Sequence, residues 1–129
     1  MTKPVLKVVA GIVWRDGRYL AVRRPEGGPM AGWWEFPGGK VEPGETREQA
    51  LVREFREELD VMPEDFTYWR DLRHEYDEFS VHLHFYHITK YFGELKSIEG
   101  QEMAWVDPKG PVAHDFLPAD IVIVDALHN

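Results

Sequence analysis

The sequence predicts an α/β fold, a mixed sheet with helices on its faces. Three observations carry this reading. Strand-like stretches rich in Val, Ile and aromatic residues run on both sides of a central helical segment. That segment carries Leu51, Val52, Phe55 and Leu59 at helical period. A second amphipathic run, Pro118 to Leu127, follows the last strand-like stretch, with Pro118 near its first turn. Strands alternating with helices bury their apolar faces by layering helix on sheet. The 129 residues suit one domain, 1–129.

Val5 to Trp14 reads as a buried strand, Asp16-Gly17 as a turn and Tyr19 to Arg23 as the returning strand of a hairpin. Pro25 to Gly32 is a Gly- and Pro-rich loop, and Trp33, Trp34 and Phe36 after it are expected in the core. Pro37, Gly38, Gly39, Pro43 and Gly44 mark a shaped loop with no regular element in it. Thr46 stands three residues before Gln49, the spacing of a capping box, so a helix starts there. Pro63 marks the helix exit. Phe66 to Arg73 and Phe79 to Ile88 read as strands, with His74 to Glu78 as the turn between them. In the second, alternation puts His82 and His84 on one face, either a polar strand face or a pair of metal ligands. Gly93 to Glu102 is a loop carrying Glu94, Glu99 and Glu102; Met103 to Val106 is a short strand, and Asp107-Pro108 starts a turn or short helix.

Composition narrows the partners. Hydrophobic residues at 43% and charged residues at 29% describe an ordinary globular chain, with no run long enough to span a membrane. No signal peptide is expected, because Met-Thr-Lys-Pro leads straight into a strand. Without Cys, neither a disulfide nor a thiolate metal site is available, and a cytoplasmic location is expected. A net charge of -8 disfavours duplex nucleic acid, which rewards cations. It is compatible with a free nucleotide bridged to acids by a metal ion.

The acids of the central helix are the chemical signal. Glu54, Glu57 and Glu58 share one face, where like charges destabilise a helix. A solvated acidic face is one explanation. A divalent cation is the other, since Mg²⁺ binds carboxylate oxygens together with substrate phosphates. The Gly- and Pro-rich loop directly before the helix favours the cation.

Loop and helix together resemble the signature of the Nudix hydrolases. Gly39, Glu45, Arg53, Glu54, Phe55, Glu57, Glu58 and Val61 occupy its positions; Asp60 stands where the family has Gly. Phe36-Pro37-Gly38-Gly39-Lys40, Glu99-Gly100-Gln101, Trp105 and Leu117-Pro118-Ala119-Asp120 resemble the MutT-type branch. The resemblance implies an α/β/α sandwich with a curved mixed sheet. It also implies hydrolysis of nucleoside triphosphates to the monophosphate and pyrophosphate, cleansing the nucleotide pool for DNA replication and repair. It assigns metal ligation to the Gly39 carbonyl, Glu54, Glu57, Glu58 and Glu99, with Mg²⁺ as the ion and Mn²⁺ as a substitute. Arg53 joins these residues in catalysis by orienting them, and Glu45 braces the loop. Arg24, Phe36, Lys40, Tyr76 and Asp120 are the implied substrate contacts, Asp120 reading the base as an ionised acceptor.

The favoured substrate on this reading is 8-oxo-dGTP. The His-x-His strand and Leu-Pro-Ala-Asp-Ile also resemble the branch acting on CTP and modified pyrimidine nucleotides. A nucleotide sensor without catalysis is disfavoured, because every signature glutamate is present and the stand-alone length leaves no domain to regulate. The expected partner is a small nucleotide, with no duplex nucleic acid and no membrane, in a monomer or homodimer.

Overall fold

A computed structural model describes residues 3–129. Met1 and Thr2, where the expectation of no signal peptide begins, lie outside the described residues. The chain runs β1 (Val5–Arg15), β2 (Arg18–Arg23), β3 (Trp34–Glu35), β4 (Gly38–Lys40), α1 (Arg47–Leu59), β5 (Met62–Glu75), β6 (Ser80–Phe92), β7 (Met103–Val106) and α2 (Ile121–Leu127). A 3₁₀ turn over Pro118–Asp120 leads into α2. The strands form a mixed seven-stranded sheet in the order β3-β2-β1-β6-β5, with β4 beside β1 and β7 beside β2. β1 and β6 are parallel, from Val5 opposite Ser80 to Val13 opposite Ile88.

The local signals act as expected. Asp16 and Gly17 both take positive φ, 52° and 77°, the hairpin geometry in which Trp14 faces Tyr19. Thr46 accepts from the Gln49 N–H while the Gln49 side chain accepts from the Thr46 N–H, a closed capping box. Asp60 ends α1 in the left-handed region, φ 56°, the conformation the family's Gly would take. Ala50, Leu51, Phe55 and Leu59 form the buried stripe of α1; Val52 stays partly exposed at its edge. They seat on Val9, Val13, Tyr86 and Ile88, and α1 lies so close to β1 that a Cβ on Gly11 would be 2.6 Å from Phe55. On the other sheet face Ile123 and Val124 of α2 join Ala10, Ile12, Phe36, Phe85 and Phe116.

Several expectations are corrected. Gly38–Lys40 lies within the expected loop yet forms a strand, because Gly38 has no side chain and can approach the β1 backbone directly. β5 starts at Met62, so Pro63 sits inside a strand; β5 is an edge strand, where a missing N–H costs no ladder bond. β6 continues past Ile88 to Phe92 by pairing with that longer β5. Trp33 is 40% exposed, while Trp34 and Phe36 are buried. The final helix splits into the 3₁₀ turn and α2. Asp107 starts a turn, accepting from the Gly110 N–H at its carbonyl and from the Lys109 N–H at its side chain.

His82 and His84 do share a face. The His82 Nε2 pairs with Asp71 at 2.7 Å. His84 is only 5% exposed, and its Nδ1 accepts from Arg47 at 2.8 Å while the Tyr68 hydroxyl lies 3.2 Å away. Burial first, then the His82 and Arg47 charges, push the His84 imidazole down to about 4. A depressed folded value means stability that is present above the ordinary histidine range and lost as pH falls toward 4. Between pH 7 and 4 the wild type should therefore lose about 2 kcal/mol relative to His84→Asn, as read from paired urea melts. Parallel stability curves for the two proteins would disprove this.

Candidate active site

The site begins with how α1 is docked. The Gly11 N–H donates to Pro37 O at 2.9 Å and the Val41 N–H to Lys7 O at 2.9 Å, so the Gly-Pro segment is stitched to β1. A Cβ on Gly38 would lie 2.0 Å from Val9 O, and one on Gly39 would lie 2.3 Å from the Glu54 carboxyl carbon. The Gly38–Gly39 backbone therefore runs along the acidic side of α1, and the Gly38 N–H donates to Glu58 at 3.2 Å.

Arg53 is the hub of the loop. It meets Glu45 at 2.7 and 2.9 Å, Lys40 O at 2.9 Å, Glu54 at 2.9 Å and Glu57 at 3.3 Å. Glu45 is its shortest contact, Glu57 the longest of its hydrogen bonds, and Glu42 lies farther off at 3.7 Å. Glu45 also accepts from the Glu42 N–H at 3.0 Å, and the Arg53 guanidinium holds its carboxyl well below the usual range. A carboxylate bound this tightly is a brace, as the sequence suggests.

Glu99 arrives by backbone, not by side-chain pairing. The Lys96 N–H donates to Leu59 O and the Ile98 N–H to Glu58 O, each at 3.0 Å. These are the open carbonyls at the C-terminus of α1, and satisfying them parks the 93–102 loop beside the helix. Glu99 then lies close enough for its charge to act on Glu58. Burial is the main cause that pushes Glu58 up to about 8, followed by the charges of Glu54, Glu35 and Glu99. Glu54 is also raised by burial, with Arg53 opposing. Glu57 is exposed and borders an open groove between α1 and Phe66.

Among the described residues no three His, Asp or Glu side chains close into a ready cation cage. The donor chemistry nevertheless fits a divalent ion. The hard carboxylate oxygens of Glu54 and Glu58 lie against the Gly38–Gly39 backbone, and burial first, then their mutual repulsion, opposes the ionisation of Glu58 until a cation offsets it.

A second group forms around Glu35. Arg24 grips both Glu35 oxygens at 3.0 and 3.1 Å and donates to Pro29 O at 2.9 Å. Glu35 is raised by burial and lowered by Arg24, and its charge acts on Glu58, Tyr76 and Asp120 alike. One half-buried carboxyl thus bears on both the acids of α1 and Asp120. Sequence reading missed Glu35. The available signal was an acid flanked by two aromatics, Trp34 and Phe36, where an unpaired charge is costly.

Asp120 is 5% exposed, and burial, reinforced by Glu35, drives its carboxyl well above the usual range. Burial thus disfavours the ionised acceptor expected of Asp120; its neutral form would carry one donor and one acceptor. Tyr76 is half-buried beside it. Phe36 is 4% exposed and packs on Phe85, Phe116 and Tyr19, so it supports the cleft from within the core. The Lys40 side chain is exposed at the end of β4.

The NUDIX domain matches residues 8–126. The chain is similar to the CTP pyrophosphohydrolase of Escherichia coli strain K12, 40% identical over 122 residues, covering 95% of this chain and 90% of that protein. It is similar to the 8-oxo-dGTP diphosphatase of the same strain, 36% identical over 123 residues and 95% of each chain. The solved MutT NUDIX hydrolase from Burkholderia pseudomallei superposes with a TM-score of 0.86 at 26% identity, covering 95% of this chain and 98% of that one. With the signature residues gathered on one loop and one helix, and a match that spans nearly its whole length, the chain belongs to the NUDIX family.

Proposed function

We propose that this single-domain protein is an enzyme that hydrolyses nucleoside triphosphates to the monophosphate and pyrophosphate. The observation that carries this reading is the placing of Glu54 and Glu58 against the Gly38–Gly39 backbone, with the loop that carries Glu99 bonded to the end of the same helix. NUDIX hydrolases generally need a divalent cation; Mg²⁺ is the ion proposed here, with Mn²⁺ as a substitute. Glu54, Glu57, Glu58, Glu99 and the Gly39 carbonyl would hold it. Once bound, it would neutralise phosphate oxygens and acidify the attacking water. Arg53 orients Glu54 and Glu57 and draws the loop onto α1. Arg24, already desolvated by its pairing with Glu35, contacts a phosphate or the base, and Lys40 and Tyr76 border the substrate. The proposed setting is the cytoplasmic nucleotide pool.

The first candidate substrate is 8-oxo-dGTP, in line with the relative of that name. CTP is the second reading, favoured by the 40% identical CTP pyrophosphohydrolase. A neutral carboxyl matches the cytosine edge, accepting from the 4-amino group and donating to N3. It also matches guanine, donating to O6 and accepting from N1–H.

Turnover on 8-oxo-dGTP, dGTP, CTP and 5-methyl-dCTP with Mg²⁺ decides between these readings. Loss of all four activities would sink the enzyme proposal. Asp120→Ala should weaken use of the preferred triphosphate by about 10-fold, mostly in KM, through unpaired polar groups on the base. Asp120→Asn, which also carries one donor and one acceptor, should keep most of the preference. An unchanged ranking of substrates in Asp120→Ala would mean the base is read elsewhere.

A further inference from the structure

Among the imidazoles that the chemistry above leaves unused, His128 is bonded at both ring nitrogens. His128 follows α2 directly and is half-buried. Its Nδ1 is 3.0 Å from Gly110 O, and its Nε2 is 2.6 Å from the Tyr19 hydroxyl. A carbonyl oxygen only accepts, so Nδ1 carries the proton. In the neutral ring Nε2 is then the acceptor, and the Tyr19 O–H donates to it.

Each partner is anchored in its own element. Tyr19 lies in β2 with no exposed surface, and its ring packs on Trp14 and Phe36 at centroid separations of 5.9 and 5.8 Å. Gly110 closes the turn that begins at Asp107, directly after β7. His128 thus ties β2, the turn after β7 and the end of α2 together. The helix needs this tie. It has seven residues, too few to be stable alone, and its buried contacts come from Ile123 and Val124. Its other end continues into the 3₁₀ turn that holds Asp120, about 10 Å away at helical rise. A tilt of α2 at His128 moves Asp120.

We propose that His128 is a positioning residue for base recognition: bonded to Tyr19 and Gly110, it sets the seat of α2 and so the place of Asp120 at the base cleft. This rests on the base reading by Asp120 proposed above. The acids of α1 and Asp120 sit on different elements, so the latch acts on KM and base preference and leaves kcat alone.

The test pairs substitutions with spectroscopy. His128→Phe keeps a ring but loses both hydrogen bonds; Tyr19→Phe loses only the hydroxyl. Each should raise KM for the preferred triphosphate about 5-fold and shrink base preference to match, the effect of losing about one hydrogen bond. Turnover at saturation should stay within about 2-fold of wild type, since only the base end is displaced. His128→Gln, which can donate and accept, should recover most of the loss. The double variant should be no worse than His128→Phe, because Tyr19 acts through His128. In a ¹⁵N spectrum of the wild type, His128 should show the Nδ1–H tautomer. An Nε2–H tautomer overturns the latch whatever the substrates do. Lower melting temperature with unchanged base preference in His128→Phe reduces the residue to packing and overturns the proposal. If Asp120→Ala shifts preference while His128→Phe does not, the latch alone fails; if Asp120→Ala shifts nothing, the base reading fails with it.

Discussion

Glu58→Gln should lower kcat at least about 10²-fold with Mg²⁺ while raising the melting temperature of the metal-free protein above neutral pH. The activity loss follows from removing a charge at the centre of the acidic cluster, comparable to deleting a strong transition-state contact. The stability gain follows from the direction of the pKa. Glu58 is raised from 4.5 to about 8 in the fold. A raised folded value gives stability that is fully present below about 4.5 and lost as pH rises through about 8. A glutamine escapes that loss and still accepts from the Gly38 N–H. The two proteins should melt together in mild acid and diverge in alkali. Glu57→Gln is the contrast: its carboxylate is exposed, so activity should fall without a comparable gain in stability. Wild-type turnover in Glu58→Gln would remove Glu58 from the metal site, and melting curves that do not diverge with pH would show that its carboxyl is not ionised against burial.

Gly38→Ala should be the most damaging single-methyl change in the chain. The added Cβ would sit 2.0 Å from Val9 O and 2.8 Å from the Ala10 Cα, both backbone atoms that no rotamer change can clear. β4 must separate from β1, where Gly38 pairs with Ala10 and Gly39 with Val9. The Gly38–Glu58 hydrogen bond and the Gly39 carbonyl move with it. Overpacking of this kind costs about 3 kcal/mol. A shift of about 1 Å in a positioned group can cost about 10²-fold in turnover. Gly44→Ala separates this clash from a general glycine effect. Gly44 has φ 80° but nothing within 4 Å of a new Cβ, so the loss should be about 1 kcal/mol of backbone strain, with activity kept. Urea melts and turnover of the two variants decide it; equal damage from both would place the cause in backbone conformation, not in the docking of β4.

What could be read from the sequence was local. The Thr46–Gln49 box, the Asp16-Gly17 turn and the shared face of Glu54, Glu57 and Glu58 all depend on residues within a few positions of one another. Backbone geometry over so short a span is nearly independent of the rest of the chain, so these features were legible, and with them the fold class and the family. The tertiary structure decided what depends on distant neighbours. β4 exists because β1 lies beside it, and β5 and β6 extend because each supplies the other's hydrogen bonds. Glu99 reaches Glu58 through backbone bonds to the end of α1. Arg24 is held by Glu35 rather than left free, and Asp120 is buried where its ionised form is disfavoured. Burial and charge are sums over every segment that packs nearby, and no local stretch of sequence contains that sum.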